Sequence, residues 1–250
     1  MKSIKSGMIF IFCLYATIGE AKGPKKQVEG ALNYLSELIG QKYQLSTTGY
    51  QKAMIKNSTF ITRKRAKQYT KTAKRVYPNQ TLKRLGMLQK NYINKEPVTG
   101  ELLSPHHFKE NQLSGALERV REKNFANCEM QALEGAIHIY VLGFKDLAII
   151  SNKAISHNYL LLEPTNIWPK GAVFDSWTGY GVRDLNFYQR NRYKHYSKEI
   201  QIPQNMMNWL KKNAYKYANK AWISQIRKKF FPGEGPEPLK NKLKPLGGKK

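Results

Sequence analysis

The chain has 250 residues, of which 41% are hydrophobic and 12% aromatic, and its 43 Lys and Arg against 17 Asp and Glu give a formal net charge of +26. This apolar content excludes a wholly disordered chain, and two cysteines exclude a disulfide-dense fold. No Cys or His spacing matches structural zinc, so we predict neither a metal nor another cofactor. The charge predicts an acidic partner or an anionic surface.

Residues 1–21 have the pattern of a secretory signal peptide. Lys2 and Lys5 precede an apolar run over residues 8–18, and the small residues Gly19 and Ala21 follow it. This run is too short to span a bilayer, and no later window is apolar enough for a transmembrane helix. We therefore expect a secreted or periplasmic protein with no transmembrane segment after the signal peptide.

Helical periodicity predicts the elements on either side of the middle of the chain. An amphipathic helix is expected over residues 28–39, helical structure over 51–95, a connector over 97–115, and another amphipathic helix over 207–222. The residues from Pro232 onward are rich in Pro, Gly and Lys, which predicts a loose tail. The expected organisation is a signal peptide (1–21), a basic helical region (22–110), a catalytic domain (111–225) and a basic flexible tail (226–250).

Charge is unevenly distributed along the chain. Residues 51–100 contain 13 basic residues and one acidic residue, and residues 186–250 contain 16 basic and three acidic residues. Residues 128–185 contain four basic and six acidic residues. The nearly neutral middle segment is therefore the predicted chemical core.

Cys128 stands where a helix is expected to begin. Met130, Leu133 and Ile137 fall on one helical face, and Asn127 is a favoured N-cap residue. A cysteine in the first turn of a helix feels the partial positive charge of the unpaired N–H groups, which favours the thiolate. Loss of the signal peptide would leave Cys128 as the remaining thiol. The alternative is a buried and inert cysteine.

Two short strand patterns follow, over residues 156–163 and 171–175, with turn-like residues between them. A register that pairs Leu161 with Gly171 would place His157 directly opposite Asp175, with Cβ atoms about 4.5–5.5 Å apart. A carboxylate at that distance could orient an imidazole. The imidazole in turn could deprotonate a thiol and return the proton to a leaving group. The backbone N–H of Cys128 and the side chain of Asn127 or Gln112 are candidate donors to an oxyanion.

These segments resemble the papain-like and transglutaminase-like Cys-His-Asp superfamily, in particular its secreted bacterial effector and toxin branch. The resemblance covers residues 127–179 and consists of Asn-Cys-Glu-Met opening a helix, Ser-His-Asn-Tyr-Leu-Leu-Leu opening a strand, and Val-Phe-Asp-Ser-Trp-Thr-Gly closing the next. It implies Cys128 as nucleophile, His157 as general base and acid, Asp175 as orienting carboxylate, and Trp177 as the aromatic residue beside the acid. Ser176 stands where proline is common in the family.

The fold that the resemblance implies is α+β, with a papain-like core in which the nucleophile helix packs on a small antiparallel sheet, preceded by a helical region. The implied function is a secreted amide hydrolase or acyltransferase, namely a protein deamidase, a transglutaminase-like enzyme or a protease, acting on a protein substrate of a host cell through a thioester.

Several residues have simpler interpretations. His138 falls inside the Cys128 helix and is expected to be packed, while His106, His107 and His195 are expected at the surface. Asp184 is a second candidate for the orienting acid, in place of Asp175. The basic flanks leave a second function open, that of a non-enzymatic basic protein binding nucleic acid or an anionic membrane surface.

Overall fold

The computed structural model describes residues 23–43, 113–124, 126, 128–152, 157–186, 200–201 and 204–246. Within these ranges the helices are Pro24–Lys42 (α1), Leu113–Lys123 (α2), Cys128–Val141 (α3), Gln204–Tyr217 (α4), Lys220–Phe230 (α5) and Pro238–Lys242 (α6). The strands of the same ranges are Leu147–Asn152 (β1), His157–Leu162 (β2), Ala172–Asp175 (β3), Gly181–Asp184 (β4) and Ile200–Gln201 (β5). The expected α+β class is confirmed.

The strands form one antiparallel sheet with the order β4-β3-β2-β1-β5. Strands β1 to β4 are a meander, in which each strand pairs with the next along the chain. The two predicted strands are β2 and β3, and each lies within one residue of its expected bounds. Strand β1 was not predicted, because its buried run over residues 147–150 shows no alternation that would distinguish a strand from a helix.

Helix α3 packs across β1, β2 and β3 and forms the centre of the core. It begins at Cys128, as the sequence predicted. A Cβ at Gly135 would lie 2.5 Å from a ring carbon of Phe174 on β3, so only glycine permits this close approach of helix and sheet.

Helix α1 is the amphipathic helix expected near the start of the chain, and it packs against β4 and α5. Its buried residues follow the predicted spacing. Asn33 Oδ1 accepts a hydrogen bond from the Val182 N–H (2.9 Å), which satisfies a backbone donor of β4 at the edge of the sheet. Gln27 Nε2 donates to the Phe230 carbonyl (2.6 Å).

The helix predicted over residues 207–222 is two helices, α4 and α5. The break lies at Asn219, whose side chain accepts hydrogen bonds from the Ala221 and Trp222 N–H groups and caps α5. The Asn219 N–H itself donates to His138 Nε2 (3.0 Å). The periodicity continues across the break, and therefore the sequence pattern did not reveal it.

Residues 232–246, which we call the C-terminal segment, are not the flexible tail that the sequence predicted. Leu239 and Leu243 are at most 1% exposed, and the Leu239 N–H donates to the Leu142 carbonyl (2.9 Å). Asn166 and Lys244 exchange two hydrogen bonds, 3.0 and 2.8 Å long. Two leucines four residues apart anchor the segment although Pro, Gly and Lys dominate its composition. The expected boundary at residue 226 falls within α5.

Several predictions lie outside the described residues. These are the signal peptide, the helical structure over residues 51–95, the connector as far as residue 112, the surface positions of His106, His107 and His195, and the side chains of Asn127 and Gln112. In the part of the chain that the structure describes, no helix combines the length and the apolar character needed to cross a membrane.

Candidate active site

Cys128 is the first residue of α3 and carries a free thiol. It is partly exposed, whereas Glu129, Met130 and Gln131 after it are buried. A thiol in this position is reachable from solvent and lies beside the unpaired N–H groups of the first helical turn. Cys128 is therefore not the fully buried cysteine that the alternative interpretation requires.

The register that the sequence analysis assumed between β2 and β3 is wrong by two residues. Leu161 pairs with Val173 rather than with Gly171. Gly171 instead belongs to the turn, since it has a φ of +86° and its N–H donates to the Trp168 carbonyl (2.8 Å). Strand β3 therefore begins one residue later than assumed.

The corrected register changes the relation between the candidate base and acid. Continued to the end of β3, it places Asp175 opposite Tyr159, and His157 lies two positions further along β2. The partner of His157 across the other edge of β2 is Asn152. Diagonal neighbours of this kind are about 7–8 Å apart at Cα, so His157 and Asp175 are near neighbours rather than a directly opposed pair.

Asp175 is 2% exposed and closes a turn at the end of β3. Its Oδ1 accepts a hydrogen bond from the Thr178 N–H (3.2 Å), and Thr178 Oγ1 donates back to the Asp175 carbonyl (3.3 Å). Trp177, inside this turn, is 3% exposed. The carboxylate therefore shapes the turn that holds Trp177, whatever further role it has.

A buried hydrogen bond ties this turn to the first turn of α3. Ser176 Oγ donates to Gln131 Oε1 (3.3 Å), and Gln131 Nε2 donates to the Ala126 carbonyl (3.3 Å), two residues before Cys128. Gln131 and Ser176 are at most 2% exposed. Ser176 thus provides the hydroxyl that joins the segment around Cys128 to the segment around Asp175.

These contacts place the three candidate catalytic residues at one end of the α3 and sheet assembly. Cys128 begins α3, His157 begins β2, and Asp175 ends the antiparallel strand β3. The bond between Gln131 and Ser176 fixes the start of α3 at that same end. The backbone therefore brings the three residues to a common region of the fold.

A buried charged cluster supports α3 from within the core. Glu134 is 1% exposed and accepts two hydrogen bonds from Arg121 of α2 (2.6 and 2.8 Å) and one from Tyr43 (2.5 Å). Arg121 also donates to the Tyr217 carbonyl (2.8 Å) at the end of α4. The cluster therefore joins the end of α1, α2, α3 and α4 at one point.

His138 belongs to the same cluster and is packed, as the sequence predicted. Its Nδ1–H donates to the Glu134 carbonyl (2.7 Å), and its Nε2 accepts the Asn219 N–H (3.0 Å). These two bonds assign a neutral tautomer. The ring also packs on Trp222, with centroids 5.1 Å apart.

Burial and charge shift the pKa values of this cluster in opposite ways. Burial raises the pKa of Tyr43 and lowers that of His138. Burial alone would raise the pKa of Glu134 and lower that of Arg121, but their mutual hydrogen bonds and charges outweigh it. The pKa of Glu134 is therefore held below, and that of Arg121 above, its ordinary value. At neutral pH the cluster is an ion pair with a neutral tyrosine and a neutral histidine.

Sequence reasoning missed Gln131 as a link and Glu134 as the centre of the cluster. A signal for Glu134 exists, because it is an acidic residue within the largely apolar stretch that runs from Met130 to Val141. Nothing local identifies its partners Arg121 and Tyr43, which are 13 and 91 residues away.

Comparisons of the chain with protein-family models, with curated proteins and with solved structures found no match.

Proposed function

We propose that this protein is a cysteine-dependent amide hydrolase or acyltransferase, a deamidase, transglutaminase-like enzyme or protease of papain-like character, acting on a protein substrate outside the cell that makes it. The observation that carries the proposal is the convergence of Cys128, His157 and Asp175 at one end of the helix and sheet assembly. The partial exposure of the Cys128 thiol at a helix start supports the same assignment.

In this reaction His157 takes the thiol proton, and Cys128 Sγ attacks the carbonyl carbon of an amide. The protonated imidazole then gives its proton to the leaving nitrogen as the C–N bond breaks, which leaves a thioester and a free amine or ammonia. Water or a second amine resolves the thioester and regenerates the thiol. Asp175 is proposed to orient His157, and the backbone N–H of Cys128 to stabilise the oxyanion.

The test is the rate of alkylation by iodoacetamide as a function of pH, in a Cys13→Ser background so that Cys128 is the one thiol present. A thiol activated by an imidazole should keep reacting well below pH 7, whereas a free thiol has a pKa of about 8.5. His157→Ala should abolish the reactivity at low pH, and Asp175→Asn should reduce it.

His195→Ala is the matched control, since it removes a histidine to which no role is assigned, and its profile should equal that of the parent. Circular dichroism and the urea midpoint of each variant separate a lost catalytic interaction from a lost fold. A Cys128 that is inert, or that titrates near pH 8.5 regardless of His157, would contradict the proposal.

A further inference from the structure

Gln131 joins the start of α3 to the turn after β3 through a side chain that is fully buried. It is 0% exposed, and burying a side-chain amide is costly unless its polar atoms form hydrogen bonds. Both ends of this amide are used, since Oε1 accepts a hydrogen bond from Ser176 Oγ and Nε2 donates to the Ala126 carbonyl, each 3.3 Å long. One amide therefore bridges two backbone segments that are distant in the sequence.

Each of these two segments leads to a candidate catalytic residue. Ser176 directly follows Asp175, and Ala126 lies two residues before Cys128. Gln131 itself lies three residues after Cys128, and residues at this spacing are neighbours on one face of a helix. The amide therefore joins the backbone that bears the carboxylate to the backbone that bears the thiol.

The same bonds restrain Cys128 from both sides along the chain. After Cys128 the backbone is held by α3, and before it the carbonyl of the buried Ala126 is held by Gln131. The rate of a reaction between positioned groups depends strongly on their placement, since a displacement of about 1 Å can cost about 10²-fold. Loss of the Gln131 bonds should therefore change the reactivity of the thiol.

We propose that Gln131 is a positioning residue, which holds the Cys128 thiol in place relative to the turn that follows Asp175. The inference rests on the proposed function, because it concerns the placement of the same thiol. Gln131 acts through the backbone on either side of Cys128, and it has no assigned contact with a substrate.

The experiment compares Gln131→Met with the parent in the Cys13→Ser background, by the rate of iodoacetamide alkylation as a function of pH. Methionine nearly keeps the length of the side chain but removes both hydrogen bonds. We expect the alkylation rate at about pH 6 to fall at least about tenfold. At about pH 9.5, where even an ordinary thiol is ionised, the rate should equal that of the parent. A mere change in access to the thiol would alter both rates.

Ser176→Ala breaks one of the two bonds by a smaller change, and it should shift the profile in the same direction. Combining it with Gln131→Met should add little, because both changes break the same network. Gln27→Met is the matched control, since the same substitution there removes an amide hydrogen bond to the Phe230 carbonyl, between α1 and the end of α5. Its alkylation profile should equal that of the parent. The urea midpoint of each variant measures the accompanying loss of stability.

The parent profile separates failure of this inference from failure of the proposed function. A parent thiol that titrates near pH 8.5 regardless of His157 would overturn both. A parent activated by His157 and a Gln131→Met variant with the same profile would overturn the inference alone. Ser176→Ala decides in the same way should Gln131→Met not fold. A shift in Gln27→Met as large as that in Gln131→Met would also overturn the inference, because the profile would then follow stability.

Discussion

Glu134 shows how a single buried charge is kept in a protein core. Its carboxylate is almost fully buried and is compensated by Arg121 and by the Tyr43 hydroxyl. The desolvation cost of such a pair can equal its Coulombic gain, so the pair is not by itself strong evidence of stabilisation. Compensation of Glu134 does require the chain segments that hold Arg121 and Tyr43 to meet α3 in one arrangement.

Removing one partner of this pair should be costly. We expect Arg121→Ala to lower the free energy of unfolding by about 3–5 kcal/mol, because Glu134 would remain buried without its counterion. Urea denaturation measures the change. The control is Lys242→Ala, which breaks the partly exposed pair with Glu234 and should cost no more than about 1 kcal/mol. Similar losses in the two variants would show that the Arg121 pair is effectively solvated.

The same cluster should make the folded protein less stable in acid. The lowered pKa of His138 means that the unfolded chain takes up a proton below pH about 6.5 while the native imidazole stays neutral. The lowered pKa of Glu134 stabilises the fold above the ordinary carboxyl pKa of about 4.3, and this contribution is lost as the pH falls through the native value. Both effects make the free energy of unfolding fall with falling pH.

Urea denaturation at a series of pH values tests this sign. We expect the free energy of unfolding to decrease by up to about 1.4 kcal/mol per pH unit for each proton taken up, starting below pH 6.5. His138→Gln should remove the loss that begins near pH 6.5 and leave the loss near pH 4. A parent protein whose stability is constant from pH 7 to pH 5 would contradict the assignment.

At the scale of elements, the C-terminal segment acts as a brace for the loop between β2 and β3. Leu239 and Leu243 insert into the core, and Lys244 is hydrogen-bonded to Asn166 of that loop. This loop connects the strand that begins with His157 to the strand that ends with Asp175. The segment therefore contributes to the geometry of the candidate active site without containing any of its residues.

Truncating Leu239 should reveal this role. Leu239→Ala is expected to lower the free energy of unfolding by about 2–5 kcal/mol, since it removes a fully buried side chain and leaves a cavity. Leu246→Ala is the control within the same segment, because Leu246 is 47% exposed, and its effect should stay within about 0.5 kcal/mol. Equal effects of the two changes, measured by thermal or urea denaturation, would show that the segment is not anchored by Leu239.

At the scale of the whole molecule, the sequence predicted what local patterns encode. The amphipathic spacing in α1, the start of α3 at Cys128 and the bounds of β2 and β3 all follow from residues close in the chain. The register between β2 and β3 does not follow from such local patterns, because it depends on Gly171 adopting a positive φ in the turn. The break at Asn219 and the packing of residues 232–246 also depend on distant partners, His138 and Leu142.

The candidate active site likewise combines features that the sequence predicts with features that it does not. The positions of Cys128 and Asp175 within their elements could be predicted, since helix and strand patterns contain them. The contact between Gln131 and Ser176 joins residues 45 positions apart and could not be predicted from local patterns. Polar side chains of this kind show no periodicity, and tertiary packing alone selects their partners.

The hydrogen bond between Gln27 and the Phe230 carbonyl has a consequence for when the chain can complete its folding. It closes a loop of 203 residues, and α1 is otherwise covered by α5 and β4. A contact of such high sequence separation carries a large loop-closure entropy and slows folding. During synthesis, α1 leaves the ribosome long before its packing partner α5, which lies far along the chain. The native core can therefore close only after α5 and the buried leucines that follow it have been synthesised.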